Sequence, residues 1–253
     1  LGLAALVEAH DESDIDKALE CGARLIGVNA RDLASFEVDF EQALQLIESL
    51  PSSVVAVAES GISSPEDAVA AGSAGADAIL VGGSNIKDDN FKIRLQIINS
   101  NTKLPIILFP GSSSQVSNDA DAILFTSLLS GRNVKYLIEE QVKASKSIYK
   151  YNLETIPTGY LLFLTDKKSS VQKTTGTSAL KMTDIEQIIS HALAAEYLGK
   201  KILFLEAGSG SNYSIAASVI KKIYSFLNIP QQKIEIPSLT RQRVAPKYKS
   251  LGT

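Results

Sequence analysis

Short runs rich in Val, Ile, Leu and Ala recur along the whole chain, and each is followed by a polar–apolar stretch of helical period. That alternation is the signature of βα units and of a parallel sheet. The runs are Leu3–Ala9, Arg24–Asn29, Val54–Ser60, Ala78–Gly82, Pro105–Pro110, Ala122–Thr126, Thr155–Phe163 and Lys201–Glu206. Eight is the number that closes a (β/α)8 barrel, and 253 residues is a usual length for one. The expectation is a single-domain α/β TIM barrel over residues 1–230, with a flexible basic tail at 231–253.

Start and stop signals support the helices between the runs. Acidic and capping residues at Asp11, Glu12, Ser13 and Asp14 precede Ile15–Glu20, and Gly22 follows. Ser64, Pro65, Glu66 and Asp67 open a later helix. Further helical patterns run over Asn90–Asn99, Asn133–Tyr149, Thr183–Leu198 and Tyr213–Leu227. Ser112–Asp119 is too short and polar for a barrel helix and reads as a loop or a single turn. Thr165–Lys181 reads as a long polar insertion in the place where lids sit.

Composition removes several function classes. A formal net charge of −3 argues against a nucleic-acid surface. One cysteine, Cys21, allows no internal disulfide and no cysteine-based zinc cluster. It fits a reducing, cytoplasmic setting. Two histidines, His10 and His191, make a histidine-rich metal site improbable. No apolar run approaches the ~20 residues of a membrane helix.

A parallel barrel places its active site at the C-terminal ends of its strands. Those ends are rich in glycine and serine, which let backbone N–H groups converge on an anion. Gly61, Gly82, Gly83 and Ser84 form one candidate phosphate cradle, and Gly208, Ser209 and Gly210 a second. Glu8, Glu59 and Glu206 each end an apolar strand. A poorly solvated carboxyl has a raised pKa, which suits acid–base work. Arg31 is the natural cation for Glu8 or for a substrate carboxylate. His10 reads as a cap on the following loop, His191 as a packing residue, and Tyr160 as a rim residue or a hydrogen-bonding group.

Two resemblances follow from these motifs. Leu-Val-Glu-Ala-His (6–10), Gly-Ala-Arg-Leu-Ile-Gly-Val-Asn-Ala-Arg-Asp-Leu (22–33), Glu-Ser-Gly-Ile (59–62) and Gly-Ala-Asp-Ala-Ile-Leu-Val-Gly (75–82) resemble the C-terminal half of indole-3-glycerol-phosphate synthase, over residues 1–86. That likeness implies a catalytic base at Glu8, substrate contacts at Asn29, Arg31 and Ser60, and phosphate-binding backbone at Gly61, Gly82 and Gly83. Leu-Val-Gly-Gly-Ser (80–84), Leu-Pro-Ile-Ile-Leu-Phe-Pro-Gly-Ser (104–112), Asp-Ala-Ile-Leu-Phe-Thr-Ser-Leu-Leu-Ser-Gly-Arg-Asn (121–133), Ile-Pro-Thr-Gly-Tyr (156–160) and Leu-Glu-Ala-Gly-Ser-Gly (205–210) resemble the geranylgeranylglyceryl phosphate synthase family, over residues 77–229. That family joins a prenyl diphosphate to glycerol 1-phosphate with magnesium. The likeness implies a glycerol phosphate site around Tyr160, Glu206 and Gly208, with Ser84 near the diphosphate and metal (Mg2+).

The two likenesses overlap at Ala76–Gly83, and four strands from one and four from the other sum to a closed ring. The catalytic lysines of the first family lie on strands absent from this chain. The metal-holding Asp-Pro-Asp of the second falls at Glu59-Ser60-Gly61, with one carboxylate. The expectation is a recombined or engineered barrel that binds a phosphorylated small molecule and catalyses little. The alternatives are the magnesium-dependent prenyltransferase and the indole-glycerol-phosphate lyase. The abrupt start favours construction, and a mispacked seam between the Glu206 and Leu3–Ala9 strands would promote homodimers.

Overall fold

In the computed structural model, residues 3–31, 37–83, 90–166, 168–207 and 215–227 are described. Among the described residues nine strands form one all-parallel sheet: β1 (Ala4–Ala9), β2 (Leu25–Asn29), β3 (Val55–Glu59), β4 (Ala78–Gly83), β5 (Ile106–Pro110), β6 (Ala122–Leu128), β7 (Glu154–Leu164), β8 (Leu180–Lys181) and β9 (Ile202–Glu206). Eight of them close a ring in the order β1 to β7, then β9, then back to β1. The closing seam pairs Ala4 with Ile202 and Leu6 with Phe204. The expected (β/α)8 barrel is therefore present. Each expected strand lies within two residues of an observed one at either end.

The helices are α1 (Glu12–Glu20), α2 (Phe40–Ser49), α3 (Pro65–Ser73), α4 (Phe91–Asn101), α5 (Glu140–Tyr151), α6 (Ser170–Thr175), α7 (Ile185–Tyr197) and α8 (Ala217–Phe226). Local chemistry sets their starts. The Asp11, Asp39 and Asp184 carboxylates each accept from a backbone N–H of the first turn, and Ser64 with Asp67 makes a full capping box. The pattern read over Asn133–Tyr149 starts as a π-turn at 135–139 before α5. Ser113–Gln115 is a single 3-10 turn, as expected of a segment so short and polar.

Thr165–Lys181, expected as a long polar insertion after the seventh strand, carries secondary structure of its own. It folds into α6 and the two-residue strand β8, which extends the edge of β7 through Phe163 and Leu180. Ser169 caps α6 in a capping box with Gln172. Asn133 Nδ2 and Tyr136 Oη donate to the carbonyls of Thr175 and Thr174, which fastens the segment beside the barrel mouth. Its apolar residues are too few to show a period. The tail at 231–253, read as flexible, lies outside the described residues.

Two shells of apolar packing hold the barrel. Inside the ring, Leu6, Leu25, Val57, Leu80, Leu124, Leu162 and Phe204 fill the lumen. Outside it, the alternate strand residues, among them Ile26, Leu161, Phe163 and Leu203, meet the helices. Because side chains alternate along a strand, the residues two places beyond the lumen core also point inward, but at the open end. They are Glu8 after Leu6, Glu59 after Val57, Gly82 after Leu80 and Glu206 after Phe204. The fold thus delivers these residues to one mouth.

Candidate functional site

A cavity of about 1220 Å³ opens at the C-terminal ends of the strands. Glu8, Asn29, Arg31, Glu59, Ser60, Gly61, Gly82, Gly83, Tyr160 and Glu206 all line it. Every candidate residue that falls among the described ones is therefore in one place. Ser84, Gly208, Ser209 and Gly210 lie outside the described residues.

The first strand end carries a charged network. Glu8 Oε1 accepts from Asn29 Nδ2 at 2.5 Å and pairs with His10 Nε2 at 3.0 Å. His10 Nδ1 stands 3.6 Å from Asp14 Oδ2 on α1. Burial works against the charged imidazole, but the hydrogen bonds and charges of Asp14 and Glu8 outweigh it, and the His10 pKa is pushed up to about 10. Burial likewise works to raise the Glu8 pKa. The hydrogen bond and charge of His10, with help from Asn29, bring it below the ordinary carboxylate value. Glu8 is thus ionised, which corrects the expectation of a raised pKa there. His10 is corrected too: it pairs with two carboxylates, and the cap of α1 is Asp11. His10 is a cation that reaches Glu8; Arg31, expected to serve either Glu8 or a substrate carboxylate, lines the same cavity.

Glu59 behaves in the opposite way. It is 6% exposed, and its Oε1 has no hydrogen-bond partner. Burial, then the neighbouring charge of Glu8, drives its pKa well above the ordinary value, and Glu206 adds to the rise. The carboxyl fits only because Gly27 faces it. A Cβ at Gly27 would lie 1.8 Å from Glu59 Oε1. Ser60 follows with φ at 60°, a strained conformation for a residue with a side chain.

The glycines of the first cradle divide by role. Gly82 has φ near 146°, and a Cβ there would meet the Phe109 carbonyl oxygen at 2.1 Å, so this glycine lets β5 approach. Gly83 has φ near 145° and open space where a Cβ would point. Gln115, on the 3-10 turn, ties the rim together: its Oε1 accepts from the Gly111 N–H and its Nε2 donates to the Gly83 carbonyl. The floor is aromatic. Phe109, Tyr160 and Phe204 pack edge-to-face or tilted, with centroids 4.8–6.0 Å apart. On the far side Phe125, Tyr136 and Val171 give the cavity an apolar flank.

Sequence reasoning missed Gly27, Asp14, Gln115 and Phe109. Two signals were available: a glycine inside the strand Leu25–Asn29 marks a close approach, and Asp14 stands one helical turn from His10. Among the described residues no group of three or more His, Cys, Asp or Glu is placed to hold a metal ion. At Glu59-Ser60-Gly61, where the family likeness places metal-holding acids, the carboxyl is buried against Gly27 and favours its neutral form. The described residues do not fit Mg2+.

Two family models match. The model of the PcrB family matches residues 59–229, more than half of the chain, and that of indole-3-glycerol phosphate synthase matches residues 1–97. The chain belongs to the PcrB family. A geranylgeranylglyceryl phosphate synthase of Zunongwangia profunda is 42% identical over 152 residues, covering 60% of this chain and 65% of the relative. That of Methanopyrus kandleri is 37% identical over 150 residues, 59% of this chain and 62% of the relative. The crystal structure of (S)-3-O-geranylgeranylglyceryl phosphate synthase from Thermoplasma acidophilum, in complex with substrate sn-glycerol-1-phosphate, superposes with a TM-score of 0.61 at 35% identity. It covers 69% of this chain and 72% of the other. The chain spans a little under two thirds of the length of the first of these curated relatives. Residues 1–58 lie outside the PcrB match and inside the other. The expectation of a recombined barrel with little catalysis gives way here: the relatives support the prenyltransferase alternative.

Proposed function

We propose that this chain is a PcrB-family transferase that moves a prenyl group from its diphosphate to a hydroxyl of a glycerol phosphate. One observation carries the reading. The PcrB match runs from the last residue of β3 through α8, and the residues that the likeness assigns to the glycerol phosphate site, Tyr160 and Glu206, line the same mouth as the Gly82–Gly83 rim. The cavity is polar at its rim and apolar along Phe125, Tyr136 and Val171, which suits a phosphorylated head and a hydrocarbon tail together.

In the reaction a hydroxyl oxygen of the glycerol phosphate bonds to the first prenyl carbon. The bond from that carbon to the diphosphate oxygen breaks, and the hydroxyl proton passes to a base. Glu206 is assigned as that base, at the end of β9 and one inward step above Phe204. Glu8, charged and held by His10 and Asn29, shapes the field of the mouth. Asn29, Arg31, Glu59 and Ser60 surround the polar head, Tyr160 packs under it, and Gly61 and Gly83 bring backbone to the phosphate. No step is routed through a metal ion.

The test is to incubate the chain with geranylgeranyl or heptaprenyl diphosphate and sn-glycerol 1-phosphate, with magnesium present and then chelated, and to look for the prenyl ether by mass spectrometry. Product is expected, and Glu206→Gln is expected to lower its rate by roughly a hundredfold or more. No ether under any condition sinks the reading. A second reading, the indole-glycerol-phosphate lyase, draws on the match over residues 1–97 and on the Glu8–Asn29 contact. Its assay is the fluorescence of indole-glycerol phosphate formed from the carboxyphenylamino-deoxyribulose phosphate. Among the described residues, the cavity-lining ends of β5, β6 and β7 bring no lysine to serve as its acid.

A further inference from the structure

Three carboxyl groups, Glu8, Glu59 and Glu206, face one another across the mouth, from β1, β3 and β9. Glu8 is engaged by Asn29 and His10. Glu59 stands apart from the other two. Its side chain is more than nine-tenths buried, and Oε1 is unpartnered. Yet the residue lines the cavity. An unsatisfied buried oxygen is expensive to keep, and Gly27 leaves the space that the carboxyl occupies. With any other residue at 27, a Cβ would occupy the space of the carboxyl. The barrel has thus removed a side chain from β2 in order to hold one carboxyl of β3 in its lumen, with an oxygen left unsatisfied.

We propose that Glu59, admitted to the lumen by Gly27, is the residue that reads a hydroxyl group of the phosphorylated ligand and so separates polyol phosphates from plain alkyl phosphates. The inference rests on the glycerol phosphate reading above. A carboxylic acid presents one O–H donor beside one carbonyl acceptor, whereas a carboxylate presents acceptors alone. A hydroxyl is both donor and acceptor, so the neutral form is its complement. The surroundings favour that form: Glu8 and Glu206 are acidic, and the compensating cation of His10 is already shared between Glu8 and Asp14. A glutamine amide offers the same donor and acceptor pair with no proton to lose.

Calorimetric titration of the whole chain with sn-glycerol 1-phosphate, n-propyl phosphate and inorganic phosphate tests this. The wild type is expected to prefer glycerol 1-phosphate over propyl phosphate by roughly tenfold or more. Glu59→Gln should keep that preference. Glu59→Ala and Gly27→Ala should bring it close to one, with circular dichroism confirming the fold. Gly27→Ala retains the carboxyl and only displaces it, so it guards against an effect of simple truncation. An undiminished preference in Glu59→Ala overturns the inference, and so does a Glu59→Gln variant that loses it. If the wild type binds none of the three probes, the phosphate-site reading beneath it falls as well.

Discussion

At the residue scale the mouth is governed by two carboxyls with opposite pKa shifts. Glu8 and Glu59 are both inward-facing ends of apolar strands, and sequence alone treats them alike. What separates them is a partner: His10 and Asn29 reach Glu8, while Glu59 faces a glycine. The raised pKa of His10 has a consequence for stability. In the unfolded chain histidine titrates near 6.5. In the folded chain it does so at about 10. Stability from the His10 cation is therefore full below pH ~6.5 and is lost as pH rises to about 10, an effect on the order of a few kcal/mol. The melting temperature should fall between pH 7 and pH 10, and His10→Gln should flatten that fall. Equal pH profiles for the two proteins would count against the network. Gly82 is the second residue-scale case. Its positive φ and the Phe109 carbonyl 2.1 Å from a built Cβ leave no room for a side chain. Gly82→Ala should cost about 2–4 kcal/mol in urea unfolding, and a loss below half a kcal/mol would contradict this packing.

At the element scale most of the fold was legible. Eight apolar runs, their punctuation and the caps at Asp11 and Ser64 all correspond to observed strands and helices. A repeated Ala-Asp-Ala-Ile pattern shows how strands are joined. Asp77 Oδ2 accepts from the Ala56 N–H and Asp121 Oδ2 from the Ile106 N–H, so each Asp at the start of one strand clips the strand before it. Asp121→Ala should cost about 1–3 kcal/mol, because it leaves the Ile106 N–H without its partner; chemical denaturation measures it, and an unchanged midpoint would remove the clip from the account. Three elements were not legible. α6 and β8 hide in Thr165–Lys181 because their order comes from Asn133, Tyr136 and the edge of β7, which are distant in sequence. The π-turn before α5 likewise has no local signature in 135–139.

At the scale of the whole molecule the barrel accounts for the convergence of the site. Candidate residues spread from Glu8 to Glu206 meet at one mouth because nearly all lie at or just beyond the C-terminal ends of the ring's strands, with Glu8, Glu59, Gly82 and Glu206 facing inward. Which candidates lined the mouth was legible from the C-terminal ends of the strands. Their protonation was not, since it depends on contacts such as His10 with Asp14 and Glu59 with Gly27 that cross between elements. The two-part likeness also resolves at this scale. The PcrB match supplies α3 to α8, starting from the last residue of β3, and the ring closes where β9 meets β1. The rim can be probed directly by Gly83 variants. Both Gly83→Ala and Gly83→Asp strain the same positive φ, but only Asp brings negative charge, so Asp alone should abolish the thermal stabilisation given by phosphate ligands. Equal stabilisation in the two variants would move the phosphate away from this rim.

The central claim is that the strand ends bind a glycerol phosphate between the Gly83 rim and Glu206. A crystal structure of the chain soaked with sn-glycerol 1-phosphate tests it most directly. The phosphate is expected against the backbone of the Gly61 and Gly83 turns, with the polyol directed toward Glu59 and Glu206. Density for the ligand elsewhere, or a mouth that stays empty at saturating ligand, would show that these residues converge for another purpose.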